Sequence, residues 1–220
     1  MADIFDEVEE DLRAERAKRL LNRYGSLLVG AALLAVLAVA GVQGWRWWQD
    51  RAAMAAAEGY LAAARSASEP GMDAAAAAGR FAAVAAEAAA GYRVLARLRA
   101  AALRAEAGER DAALAEWDAV SRDSAADAPF RDLAAVLWGM HALEKDDAAA
   151  AQAVEARMAP LAEASGPFRA SAAEIRALAA LKRGETEAAR RGFGALANDG
   201  TAPQGVRDRA GRVLSGIGGG

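Results

Sequence analysis

Hydrophobic positions along this chain follow two different patterns. Between Arg23 and Arg46 no residue is charged, and the stretch reads YGSLLVGAALLAVLAVAGVQGW. Beyond it, apolar residues return three and four apart among polar ones, the mark of amphipathic helices. As a helix rising ~1.5 Å per residue, positions 24–45 reach about 33 Å, enough for a hydrocarbon core of roughly 30 Å. The pattern therefore predicts a transmembrane helix over 24–45. Tyr24 marks its near end, and Trp45, Trp47 and Trp48 with Arg46 among them mark its far end. Amphipathic rings prefer the headgroup level, so these residues are the expected interface anchors.

Nearby cations set the orientation. Arg13, Arg16, Lys18, Arg19 and Arg23 precede the span, whereas only Arg46 and Arg51 follow closely. Positive flanks stay cytoplasmic, so the N-terminus is expected inside and the long C-terminal part translocated. Ala38, Val39 and Ala40 form an A-x-A pattern before Gly41, as at a signal-peptidase site. The preceding segment, however, is long and acidic, and the apolar helix runs on past Gly41. The span reads as an uncleaved anchor; cleavage after Ala40 would instead release a soluble domain. Residues 1–23 place Ile4, Phe5, Val8 and Leu12 on one helical face. That segment is either a solvated stub that sets topology or a docking helix.

A period organises the remainder. Gly91, Pro129 and Pro167 lie 38 residues apart, each followed by an aromatic and an arginine: Tyr92 and Arg93, Phe130 and Arg131, Phe168 and Arg169. Fixed periods of 20–50 residues signal stacked supersecondary units. A second motif keeps the same register. After Gly108 come Ala113, Trp117 and Val120; after Gly184 come Ala189, Phe193 and Leu196. Between them, Asp146 precedes Ala151, Glu155 and Met158, and an earlier degenerate copy has Ala77, Phe81 and Val84. Each unit reads as helix, tight turn, helix, the turn taking a left-handed Gly or, once, Asp146. The small alanine admits close helix approach and the aromatic fills the space beside it.

This spacing resembles the tetratricopeptide repeat over about 46–214. The expected fold is all-α: one transmembrane helix, then a tetratricopeptide-like array of helical hairpins. Domain limits are 1–23, 24–45, 46–214 and a disordered tail, 215–220. Pro203 and Arg207 begin a further, capping helix. Tyr92, Phe130 and Phe168 are expected to interlock neighbouring units, with Trp117 and Phe193 inside them. Asp127 and Ser165 precede their prolines where N-caps belong. Arg93, Arg131 and Arg169 fall in first turns, where the helix dipole disfavours cations. Each is therefore expected to pair with a carboxylate on a neighbouring helix.

The hydrophobic share is 55% but the aromatic share only 6%, so alanine dominates and sheets are disfavoured. The net charge of −3 excludes the strongly basic surface of a nucleic-acid binder. With no cysteine and a single histidine, His141, no metal site or thiol nucleophile is expected. No G-x-S-x-G or phosphate loop in a strand–helix setting occurs. The expectation is a protein without catalytic residues, cofactor or metal. Leu133, Val136, Met140 and Leu143, with Leu95 and Leu98 before them and Leu178 and Leu181 after, form an apolar stripe on the first helices. They are either core or the lining of a partner groove.

The junction GWRWWQD, Gly44–Asp50, following a single span resembles the YfgM-like family, as does GYRVLARLRAA. That resemblance implies an inner-membrane protein exposing its repeats to the periplasm. Its implied partners are Sec translocon subunits, a periplasmic prolyl-isomerase-like chaperone and translocated client chains. It implies no catalytic residues. An envelope-assembly or cell-division scaffold built on the same repeats is the alternative.

Overall fold

The computed structural model describes residues 3–145, 147–163 and 165–218. All regular structure among them is helical: nine α-helices and no strand. The chain divides into two compact units, 1–52 and 53–220. Helix α1 (Asp3–Ala67) supplies all of the described first unit and continues into the second. The side chains of Ile4, Phe5, Val8 and Leu12 lie outside the described ones, as does Asp146. Within the first unit, the apolar side chains from Leu27 to Val42 are all solvent-facing.

In the second unit, the end of α1 from Ala53 pairs with α2 (Ala74–Glu87). Three hairpins follow: α3 (Ala90–Glu106) with α4 (Arg110–Arg122), α5 (Ala128–Ala142) with α6 (Ala148–Glu163), and α7 (Arg169–Lys182) with α8 (Thr186–Ala197). Helix α9 (Gln204–Gly218) lies on α8 and touches α7.

The core is split into four clusters, one per seam. Each joins a hairpin to the first helix of the next: α1, α2 and α3; α3, α4 and α5; α5, α6 and α7; α7, α8 and α9. Contacts with neighbours alone are the physics of a linear repeat array. Alanine makes such tight stacking possible. Ala96, Ala134, Ala172 and Ala210, spaced 38 apart, are all fully enclosed at 0% exposure. Ala113, Ala151 and Ala189 do the same on the second helices. The closest approach is at Gly192 on α8, where a Cβ would stand 2.9 Å from the Cβ of Ala177 on α7.

The turn chemistry is specific. Gly108 and Gly184 are left-handed, with φ of 84° and 77°. Glu109 N donates to Arg104 O and Gly108 N to Ala105 O, and Glu185 and Gly184 repeat both bonds onto Ala180 and Leu181. This paired pattern satisfies the carbonyls a helix end leaves open. Helix starts are less uniform. Asp127 is the N-cap of α5 but its side chain makes no capping bond, and Pro129 lies in the first turn. Phe168, not Ser165, precedes α7, so Pro167 stands outside that helix.

One expectation needs correction. The tail was expected to be disordered from 215, yet α9 runs through Gly218. Tertiary contacts supply what the glycines lack: Ile217 packs on the last cluster, and Arg190 Nη2 donates to Ile217 O at 3.0 Å. The middle unit loses its aromatic without losing its core. Val154, one residue ahead of Glu155, and Met158 are fully buried, and Glu155 turns outward to meet Arg183.

Candidate partner-binding surface

The apolar stripe expected to line a groove is largely interior. Leu98, Val136 and Leu143 are 7%, 5% and 7% exposed and belong to the seam clusters, so they offer no groove surface. Leu133, Leu178 and Leu181 are half-buried against those clusters, and Leu95 is also half-buried. Only Met140, at 53%, stands out in solvent. First helices here have a neighbour on nearly every side, which closes over side chains that a wider-open array would display.

The aromatics sit at the seams. Trp117 and Phe193 are fully buried. Phe130 packs on the α3–α4 cluster and Phe168 on the α5–α6 cluster. The Tyr92 ring lies tilted 5.8 Å from that of Tyr60, which meets Phe81 edge-on at 5.2 Å. His141 lies flat on Trp117 at 4.6 Å and pairs with Glu144 at 2.8 Å. Among the described residues, no three His, Asp or Glu side chains gather as metal ligands would.

The surface cavities of the second unit lie where a first helix meets the second helices before and after it. Arg93, Arg97, Ala100 and Arg104 of α3 border one of about 410 Å³. Arg131 and Ala135 of α5, in the same register, border one of about 580 Å³ with Ala153, Ala156 and Arg157 of α6. That cavity shares Arg122, Ala153 and Arg157 with a neighbour of about 430 Å³ lined by Asp118 and Trp138. Arg169, Ala173, Arg176 and Ala180 of α7 border the fourth, about 310 Å³, floored by Ala188, Gly192 and Ala195 of α8. At 3.6 residues per turn, Leu95 and Leu98 stand roughly half a turn round α3 from Arg93 and Arg97. The open face is thus alanine-floored and arginine-rimmed.

The arginines on it have unequal commitments. Arg97 contacts Glu116 at 2.5 Å and Asp123 at 3.3 Å. Arg157 covers the Trp138 ring at 4.4 Å and holds Asp118 at 2.5 Å. Arg169 bonds Asp199 at 2.5 Å and Thr201 at 2.8 Å. Hydrogen bonds from Thr201, then that guanidinium, hold the Asp199 carboxyl well below the usual carboxylate range. Arg131 departs from the expected carboxylate pairing. It donates to Ala126 O, five residues back, and Arg207 donates to Ala202 O in the same way. Their recurrence closes the connection between units. The Arg93 guanidinium makes no hydrogen bond or ion pair with the described residues, its backbone N–H alone donating to Ala89 O, and Arg176 has carboxylates only at 4.0 and 3.9 Å.

In the first unit, Tyr24, Trp45, Trp47 and Trp48 are all exposed. The rings of Trp45 and Trp48 lie tilted 5.6 Å apart, and Arg51 lies over Trp47 at 4.6 Å; Arg46 is exposed between them. One described helix is long and apolar enough to cross a membrane: a window within Arg23–Ala67 has mean hydropathy 2.4 and none of it is buried.

Stacked helical hairpins with left-handed glycine turns and a nearest-neighbour core define a repeat protein of the binding class. A family model described as a tetratricopeptide repeat-like domain matches residues 18–209, and the chain belongs to that family. Domains of this kind generally mediate protein–protein interaction and are generally non-enzymatic. No curated protein and no solved structure matches the chain.

Proposed function

We propose that this protein is a membrane-anchored adaptor that binds other proteins through its repeats and catalyses no reaction. Residues 24–45 cross the bacterial inner membrane, residues 1–23 face the cytoplasm, and residues 46–214 stand in the periplasm. The observation that carries this reading is the extent of the family match, which begins ahead of the apolar segment and takes in every hairpin. A match that takes in the apolar segment supports reading that segment as an anchor. The cations before Tyr24 support the orientation.

The partners are Sec translocon subunits and a periplasmic prolyl-isomerase-like chaperone, and the protein hands translocated chains between them. Its support is the resemblance of GWRWWQD and of the order of parts to the YfgM-like family. The test is co-purification of the full-length protein from native membranes in mild detergent, with identification of what comes with it. Translocon subunits together with a periplasmic chaperone are expected. Cell-wall or division proteins without translocon subunits would replace this reading with an envelope scaffold.

A further inference from the structure

The open face of the repeats carries a charge the rest of the protein does not. Along its four cavities eight arginines meet five carboxylates, in a chain of net charge −3. Much of the lining is alanine, with Leu114, Trp138, Leu161 and Leu196 as its large apolar side chains, so an incoming backbone can approach closely along most of it. The rim repeats at the 38-residue period of the first helices, through Arg93, Arg131 and Arg169. Most of these cations already serve an internal carboxylate or carbonyl. The Arg93 guanidinium on α3 has no such partner among the described residues, and Arg176 on α7 meets Glu155 and Glu163 only at 4.0 and 3.9 Å, beyond hydrogen-bond distance. A guanidinium offers a planar fork of donors matched to a carboxylate.

We propose that this face binds an acidic, extended segment of a partner protein, laid across the first helices with its carboxylates on Arg93 and Arg176. The proposal rests on the adaptor reading and names the chemistry of what the adaptor holds. An extended chain suits the site because the cavities are open and serial, spread over all three hairpins with two at the middle one. Charge complementarity would speed encounter and make binding fall with ionic strength.

The test uses the full-length chain in detergent micelles and fluorescence anisotropy of labelled peptides built from repeated Asp-Ala-Gly, Ser-Ala-Gly or Lys-Ala-Gly units. The Asp peptide is expected to bind, to weaken with added salt, and to weaken about tenfold in the Arg93→Gln/Arg176→Gln variant. Arg212→Gln, on exposed α9, is expected to leave binding unchanged. Arg93→Glu/Arg176→Glu is expected to reverse the preference toward the Lys peptide, a gain that misfolding cannot produce. Equal binding of all three peptides, or an unaffected double variant, would overturn the site. So would a single-stranded oligonucleotide bound as tightly as the Asp peptide, which would mark an indiscriminate cation patch. Peptide binding retained without translocon partners would sink the proposed function alone; the converse would sink this site alone.

Discussion

The contact between Gly192 and Ala177 offers the sharpest test of the packing. Gly192 lies in α8, where alanine is normally favoured over glycine by ~0.5–1 kcal/mol. A Cβ there would stand 2.9 Å from the Cβ of Ala177 and 3.7 Å from its Cα. Ala177 is 4% exposed and has no rotamer with which to yield. Two helices must separate instead, and overpacking of that kind costs ~1–3 kcal/mol. The balance predicts that Gly192→Ala destabilises by about 1–2 kcal/mol despite its better propensity. In a unit of this size the midpoint should fall by about 2–6 °C. Two further variants check the cause. Gly194, two residues along the same helix, has nothing within 4 Å of its would-be Cβ, so Gly194→Ala should raise the midpoint by about 2 °C. Adding Ala177→Gly to Gly192→Ala should recover about 1 kcal/mol relative to the sum of the single changes. Thermal unfolding of the full-length chain in detergent, followed by far-ultraviolet circular dichroism, reads all five proteins, the parent and the Ala177→Gly single variant included. A Gly192→Ala midpoint at or above that of the parent would refute the close approach of α7 and α8.

Gly184 tests the turn, because its φ of 77° costs an L side chain ~1–2 kcal/mol. Gly184→Ala should lower the same unfolding midpoint, and an unchanged midpoint would mean the turn relaxes freely. Asp199 tests the electrostatics of the last hairpin. Its carboxyl is held below its ordinary value by Thr201 and Arg169, so its contribution is complete above that ordinary value and fades as pH falls through the lowered one. The stability gap between the parent and Asp199→Asn should hold from about pH 7 to about pH 5 and close progressively below about pH 4. A gap that instead closed on going alkaline would contradict the sign.

The register of the repeats was written in residues that stand out from the alanine background: Gly108 and Gly184, Trp117 and Phe193, and the aromatic–arginine pairs. Each needs its place for a local reason, a left-handed turn or a large volume to fill, so spacing along the chain reveals it. Equally regular features stayed hidden. Ala96, Ala134, Ala172 and Ala210 recur with the same period, but an alanine that matches another 38 residues on is no signal in a chain this rich in alanine. The outward turn of Glu155 was hidden too, since Val154 and Met158 take over the aromatic's volume only once α5 and α7 are in place.

The chain by itself determined which segments are helices, where they turn, and that one apolar stretch has the length of a membrane span. Those properties follow from periodicity, glycine and charge, all of which act within a few residues. What faces outward was decided by the tertiary structure. Leucines at helical spacing bury themselves wherever a neighbouring helix is available, and here each first helix has one on either side, so Leu98, Val136 and Leu143 became core. The arginines then had only the remaining side on which to reach water, and that packing placed Arg93 and Arg176 on the open face.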